Sequence, residues 1–131
     1  MTTTRHSKPT ILLIEDDTFL AGMYVTKLTM EHYVVELATD GQAGVEKAMA
    51  LKPDLILLDV LLPKMNGFDV LRALKAETAF QHTPIIMLTN LGQKDDVREG
   101  LNLGATDYLI KAHFMPSEVV DKIKRHLSNP H

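Results

Sequence analysis

Asp54-Leu55-Ile56-Leu57-Leu58-Asp59 sets four large apolar residues in succession and ends on a carboxylate. A run with no polar alternation suits a strand buried on both faces, in the middle of a parallel sheet. Three further runs repeat the arrangement. Ile11-Leu12-Leu13-Ile14 delivers Glu15-Asp16-Asp17, Ile85-Ile86-Met87-Leu88 delivers Thr89, and Tyr108-Leu109-Ile110 delivers Lys111. In open α/β sheets, ligands bind beyond the carboxyl ends of the strands. Carboxylates, a hydroxyl and an ammonium therefore converge on one crevice, a set suited to a divalent metal and a phosphoryl group.

Outward from these runs, apolar strands alternate with longer amphipathic segments, the pattern of a parallel sheet covered on both faces. Strands are expected at Thr10–Ile14, Tyr33–Ala38, Leu55–Asp59, from Pro84 onward, and at Thr106–Ile110. Helical spacing of Leu20, Met23, Tyr24 and Leu28 predicts a helix over Thr18–Glu31. Asp40 caps the next, which carries Ala43, Ala48 and Leu51 inward and stops at Pro53. Asn66 caps a third, buried through Phe68, Leu71 and Leu74. A weaker helix over Gln93–Leu103 has Val97, Leu101 and Leu103 as anchors and Gly104 for its C-terminal cap. The last begins near Pro116, packs through Val119, Val120, Ile123 and Leu127, and offers the surface pairs Glu118/Lys122 and Asp121/Arg125.

The 131 residues fit one domain. Residues 1–8 read as a disordered lead, 9–127 as the domain and 128–131 as a tail. An apolar fraction of 45% and a net charge of −3 give no basic surface for nucleic acid or anionic lipid. The absence of cysteine excludes disulfides, thiolate metal sites and cysteine nucleophiles. No apolar run is long enough for a bilayer, and the start lacks a signal-like apolar core, so a cytoplasmic location is expected. The six histidines read as solvated surface and the seven methionines as core filler. Neither a DNA-binding helix-turn-helix nor a catalytic output segment follows Leu127, so the chain reads as a stand-alone regulator or as a piece of a longer protein.

Clustered carboxylates repel one another, and such clusters are kept mainly where a cation binds. An all-oxygen set favours Mg²⁺, or Mn²⁺, over zinc. With the cation bound, Asp59 can attack a phosphoryl group as nucleophile and become an acyl phosphate. Lys111 then pairs with one phosphoryl oxygen and the Thr89 hydroxyl serves another. Taken alone, Glu15-Asp16-Asp17 is also explained as an acidic helix start, but that leaves Thr89 and Lys111 at matching edges unexplained.

From about Pro9 to Leu127 the chain resembles the receiver domain of bacterial two-component response regulators. The resemblance lies in Ile11-Leu12-Leu13-Ile14-Glu15-Asp16-Asp17, Asp54-Leu55-Ile56-Leu57-Leu58-Asp59, Leu62-Pro63-Lys64-Met65-Asn66-Gly67, Pro84-Ile85-Ile86-Met87-Leu88-Thr89 and Gly104-Ala105-Thr106-Asp107-Tyr108-Leu109-Ile110-Lys111. It implies a flavodoxin-like doubly wound (βα)5 fold, an α/β protein with a five-stranded parallel sheet in the order 2-1-3-4-5. It implies Asp59 as phosphoacceptor, Asp16, Asp59 and the Leu61 backbone carbonyl as Mg²⁺ ligands, and Glu15 acting through a metal-bound water. Lys111 would contact the phosphoryl group, and Thr89 with Tyr108 would form a conformational switch; Asp17 receives no ligand role. The implied partners are a sensor histidine kinase or phosphotransfer protein and a downstream output protein or domain. A homodimer through the fourth helix, fifth strand and fifth helix is a further expectation.

Two departures stand out. Ala112 follows the lysine where the family usually has proline, often in a cis bond. A cis bond before a residue other than proline costs about 3 kcal/mol, so a trans, rearranged loop or a strained one is expected. Asn90 is bulkier than the residue usual after the threonine, and Leu61 and Leu91 are apolar and cannot orient an attacking water. Slow self-hydrolysis of the acyl phosphate follows. Two other readings compete: a Mg²⁺-dependent phosphatase, which would want an acid where Leu61 stands, and a degenerate receiver used for phosphorylation-independent docking or dimerisation.

Overall fold

The computed structural model describes residues 8–128. The expected lead and tail lie outside this range except for Lys8 and Ser128, and Ser128 closes the last helix. In chain order the elements are β1 (Thr10–Ile14), α1 (Thr18–Met30), β2 (Val34–Ala38), α2 (Gly41–Leu51), β3 (Leu55–Leu58), α3 (Gly67–Lys75), β4 (Ile85–Thr89), α4 (Lys94–Asn102), β5 (Asp107–Ile110) and α5 (Pro116–Ser128). One-turn 3-10 segments lie at Thr78–Phe80 and Lys111–His113.

All pairings are parallel, and the strand order is β2-β1-β3-β4-β5, as the resemblance implied. Register decides what the strand tips share. Ile14 lies level with both Ala38 and Leu58, so Glu15 and Asp59 leave neighbouring strands at one height. The ladder extends one residue further, with Glu15 N–H on the Ala38 carbonyl at 2.9 Å and Asp59 N–H on the Ile14 carbonyl at 3.1 Å. Thr89 lies level with Ile110, which places Lys111 one residue beyond that edge.

Successive strand residues point to opposite faces, and each face has its own helices. Leu12, Ile14, Ile56 and Leu58 pack on one side with Ala48 of α2 and Phe68, Leu71 and Leu74 of α3. Ile11, Leu13, Leu55 and Leu57 pack on the other with Tyr24 and Leu28 of α1 and Val119 and Ile123 of α5. Each fully buried side chain of this size contributes roughly 1.5–3 kcal/mol. The helix starts are fixed by short polar residues. Asp17 accepts from Leu20 N–H (3.1 Å), Asp40 from Ala43 N–H (2.7 Å) and Asn66 from Asp69 N–H (3.0 Å), each cap worth about 1 kcal/mol.

Several expectations about individual side chains are corrected. Leu51 is exposed rather than inward, because α2 ends there and the chain turns away through Lys52 in a left-handed conformation. In α4, Leu101 is exposed and Val97 only half-buried; the one buried residue is Gly100. Among the described methionines only Met87 is buried, while Met30, Met49 and Met115 are exposed. Met30 and Met49 stand near the ends of α1 and α2 and Met115 just ahead of α5, so none of the three reaches the core. The two surface pairs of α5 do not form. Glu118 instead accepts from Met115 N–H at 2.7 Å, and Lys122 lies over the Phe114 ring. His126 is not solvated surface: its Nε2 lies 3.1 Å from Asp107 Oδ2, joining α5 to β5. His6 and His131 lie outside the described residues.

Candidate functional site

The pocket is built at the carboxyl edge of β1, β3 and β5. Glu15 and Asp59 are buried, whereas Asp16, one residue further along, is exposed. One carboxylate oxygen from each of Glu15, Asp16 and Asp59 lies within 4.8 Å of the others. The Lys111 Nζ enters between the two buried acids, 2.8 Å from Glu15 Oε1 and 2.8 Å from Asp59 Oδ2. The remaining carboxylate oxygens are also held. Asp59 Oδ1 accepts from Leu61 N–H at 3.2 Å, and Glu15 Oε2 accepts from Asp17 N–H at 3.0 Å. Asp17 itself caps α1, its Oδ1 accepting from Leu20 N–H.

Burial pushes the Glu15 carboxyl up from its ordinary range, with the Lys111 hydrogen bond opposing and the nearby Asp59 charge adding to the rise. Burial draws the Lys111 ammonium down, but its hydrogen bonds to Asp59 and Glu15 outweigh that and leave it raised. It stays protonated and supplies one positive charge against a cluster of three acids. The shortfall in positive charge, with oxygen-only donors, fits a hard divalent cation rather than zinc.

Thr89 is fully buried at the tip of β4, and its hydroxyl oxygen accepts from Leu91 N–H at 3.2 Å. Tyr108 is half-buried on β5 and donates its hydroxyl to the carbonyl of the same Leu91. Burial, helped by Asp96, Asp59 and Glu99, pushes the Tyr108 phenol up to about 12. Leu91 thus ties both proposed switch residues through its backbone. A role carried by a peptide group leaves no signature in side-chain type. Gly41 also escaped the sequence reading, and Gly67 entered it only as part of the Leu62–Gly67 resemblance, although Asp40-Gly41 and Asn66-Gly67 are capped helix starts.

The Lys111–Ala112 bond is trans, and residues Lys111–His113 coil into a 3-10 turn, so the rearranged loop is the expected branch that is realised. This turn leaves a groove of about 340 Å³ beside the pocket, bordered by Leu20, Met23 and Tyr24 of α1, by Asn90 and by Lys111 and Phe114. The exposed side chain of Leu61 stands at the position where a phosphatase would carry its acid.

The model of the response regulator receiver domain matches residues 11–124. This chain belongs to that family. The receiver is 40% identical over 117 residues to the DNA-binding dual master transcriptional regulator RpaA of Synechocystis, which covers 89% of this chain and 47% of that protein. It is 40% identical over 101 residues to the response regulator ArlR of Staphylococcus epidermidis, covering 77% of this chain and 45% of ArlR. It therefore spans about half the length of the curated relatives it matches. Among solved structures it superimposes on the chemotaxis response regulator CheY4 of Vibrio cholerae with a TM-score of 0.85 and 31% identity, covering 92% of this chain and 99% of that one. The BeF3-activated N-terminal receiver domain of Klebsiella pneumoniae RstA gives a TM-score of 0.84 at 28% identity, covering 92% and 99%. The receiver is a signalling domain of two-component systems, and its acidic cluster is one that could hold a metal ion. Among the described residues no helix is long and apolar enough to cross a membrane.

Proposed function

We propose that Asp59 accepts a phosphoryl group from the histidine of a sensor kinase or phosphotransfer protein, in a Mg²⁺-dependent reaction that Mn²⁺ also supports. The observation that carries this reading is the Lys111 ammonium held 2.8 Å from both Glu15 and Asp59, with the Asp16 carboxylate gathered alongside. An Asp59 carboxylate oxygen attacks phosphorus; a P–O bond forms as the donor's P–N bond breaks, and the electron pair stays on the donor imidazole. Lys111, already charged and aimed at Asp59, neutralises an oxygen of the arriving group and needs little reorganisation to do so. When bound, the cation would be held by Asp16, Asp59, the Leu61 carbonyl and, through water, Glu15, and would offset charge on the phosphoryl oxygens. Labelling with acetyl phosphate or phosphoramidate is expected to be abolished in Asp59→Ala, with the fold intact by circular dichroism. Retained incorporation would remove Asp59 from the role.

The phosphoryl oxygens then recruit the Thr89 hydroxyl, which releases the Leu91 N–H it now accepts. Loss of that bond loosens the Leu91 peptide, whose carbonyl holds Tyr108. Tyr108 turns from this partner, and the face made by α4, β5 and α5 is remodelled. That face is the one we assign to an output protein or domain and to a homodimer, with the domain acting in the cytoplasm and touching neither nucleic acid nor membrane itself. Leu61 and Leu91 offer no side-chain base for water, so the acyl phosphate is expected to persist for minutes or longer. A lifetime of seconds by radiolabel decay would contradict this. The docking-only alternative leaves the preassembled Lys111 bridge unexplained.

A further inference from the structure

The loop from Val60 to Asn66 joins β3 to α3 and carries Leu61, whose N–H is bonded to Asp59 Oδ1. Its far end is fixed by α3: Gly67 N–H donates to the Val60 carbonyl at 2.8 Å, and a Cβ on Gly67 would fall 2.2 Å from the Asp59 carbonyl oxygen. Its outer side meets a different element. Gly41, buried at the first position of α2, donates its N–H to the Pro63 carbonyl at 3.2 Å. A Cβ there would fall 1.8 Å from the Met65 carbonyl oxygen and 2.7 Å from its carbon. Both are backbone atoms, so the loop itself would have to move. The loop has little freedom to absorb this. Lys64 already holds a left-handed φ of 69°, Met65 N–H closes on the Pro63 carbonyl at 2.7 Å, and Lys64 Nζ lies 3.7 Å from the Asp40 carboxylate.

We propose that Gly41 is a positioning residue for the phosphoacceptor pocket: its missing side chain lets the start of α2 buttress the 60–66 loop and so sets the Leu61 peptide against Asp59. The proposal builds on the metal-assisted reading of that pocket. It also assigns α2, which contributes no residue to the acidic cluster, a direct hold on the geometry of the site. A glycine that merely eased helix packing would act through stability alone; this one acts through the loop.

The test compares Gly41→Ala with Ala48→Gly, which removes a buried methyl about two turns further along the same helix. In metal-free protein, amide exchange at Leu61 is expected to accelerate in Gly41→Ala and not in Ala48→Gly. With magnesium chloride as the probe, calorimetry is expected to show affinity weakened about tenfold or more in Gly41→Ala, the range for lost supporting contacts around metal ligands. Ala48→Gly should lower the melting temperature and leave affinity unchanged. Equal effects in the two variants, or none in Gly41→Ala, overturn the proposal. If Gly41→Ala does not fold, the wild-type chain decides: coupling is reciprocal, so magnesium must slow exchange of Gly41 N–H more than that of Ala43 N–H at the same helix end. Equal slowing overturns it. Failure of the wild-type chain to take up magnesium would sink the metal reading instead, while the metal-free exchange data would still judge Gly41.

Discussion

Glu15 and Lys111 show how this pocket is held before any ligand arrives. Two acids are buried side by side, which is costly, and a single ammonium shared at 2.8 Å from each offsets that cost. The offset is incomplete for Glu15, whose carboxyl is pushed up by burial despite the Lys111 bond. The sign of the consequence follows from proton linkage. Between its ordinary value near 4.5 and its raised folded value, the native state holds the proton more tightly than the unfolded chain, so stability falls as pH rises through that window. Above it, ionised Glu15 is a standing penalty. Glu15→Gln is therefore expected to melt higher than wild type at pH 7 in chelator, with the two curves converging below pH 4.5. A mutant that melts lower at pH 7 would mean that the ion pair outweighs burial. The ionisable residues of this pocket were all readable from the strand ends. That one lysine would bridge both buried acids was not, because the reach of a flexible side chain across three strands is a tertiary fact.

Helix α4 is where element-level reading fell short, and the reason is physical. Hydrophobic spacing pointed to Val97, Leu101 and Leu103 as anchors, yet Leu101 is exposed and the buried residue is Gly100. Glycine carries no hydrophobic signal, so a helix that packs by close backbone approach is invisible to periodicity. A Cβ on Gly100 would lie 2.8 Å from Tyr108 Cδ2, so the aromatic ring of β5 fills the space a side chain would take. Of the expected anchors, Leu103 does pack against the α2–α3 core; what else holds α4 is polar, with Asp96 reaching back to the Gln93 N–H at 3.2 Å and Arg72 of α3 pairing with Glu99 at 3.4 Å. Exposed pairs of this kind contribute about 0–1 kcal/mol. Few apolar contacts and exposed polar ones are the signature of a segment that opens locally. Gly100→Ala is expected to push Tyr108 from its place and cost about 1 kcal/mol net, overpacking set against the better helix propensity of alanine. Amide exchange in α4 should accelerate several-fold while α1 and α5 are unchanged. Slower exchange throughout α4 would show that propensity dominates and that the ring is not the anchor. The bounds of α4, like those of the strands and the other helices, were legible in sequence to within a residue or two, since continuous apolar runs mark the buried strands and polar caps mark the helix starts.

The proposed phosphorylation at the tip of β3 would have to be felt across a face more than one element away, and the fold offers two mechanical layers for this. The core on the α2–α3 side and the core on the α1–α5 side share the central strands but are otherwise separate. Of the two proposed switch residues, Thr89 lies at the tip of β4 and Tyr108 within β5, level with Met87 and beside the thinly anchored α4. A phosphoryl mimic therefore has to bind the rearranged state, with the Thr89 hydroxyl turned to its oxygens, more tightly than the resting arrangement, or no population shifts. Moving such an equilibrium from mostly off to mostly on takes about 5.5 kcal/mol of differential affinity. Because ligand bound only to the folded state stabilises by mass action, beryllofluoride with magnesium at a hundredfold excess over its dissociation constant should add about 2.7 kcal/mol. For a chain of this length that corresponds to a rise of roughly 10 °C in Tm. Asp59→Asn should lose most of the shift, since the mimic needs a carboxylate to bind. Tyr108→Phe should keep it, because its hydroxyl bonds Leu91 and not the pocket. The rise should be accompanied by faster amide exchange at Leu91, whose N–H Thr89 releases, and along α4. A Tm rise with α4 exchange unchanged would leave the pocket as a binding site uncoupled from the face, and the signalling role of α4 would then fall while Asp59 as acceptor stood.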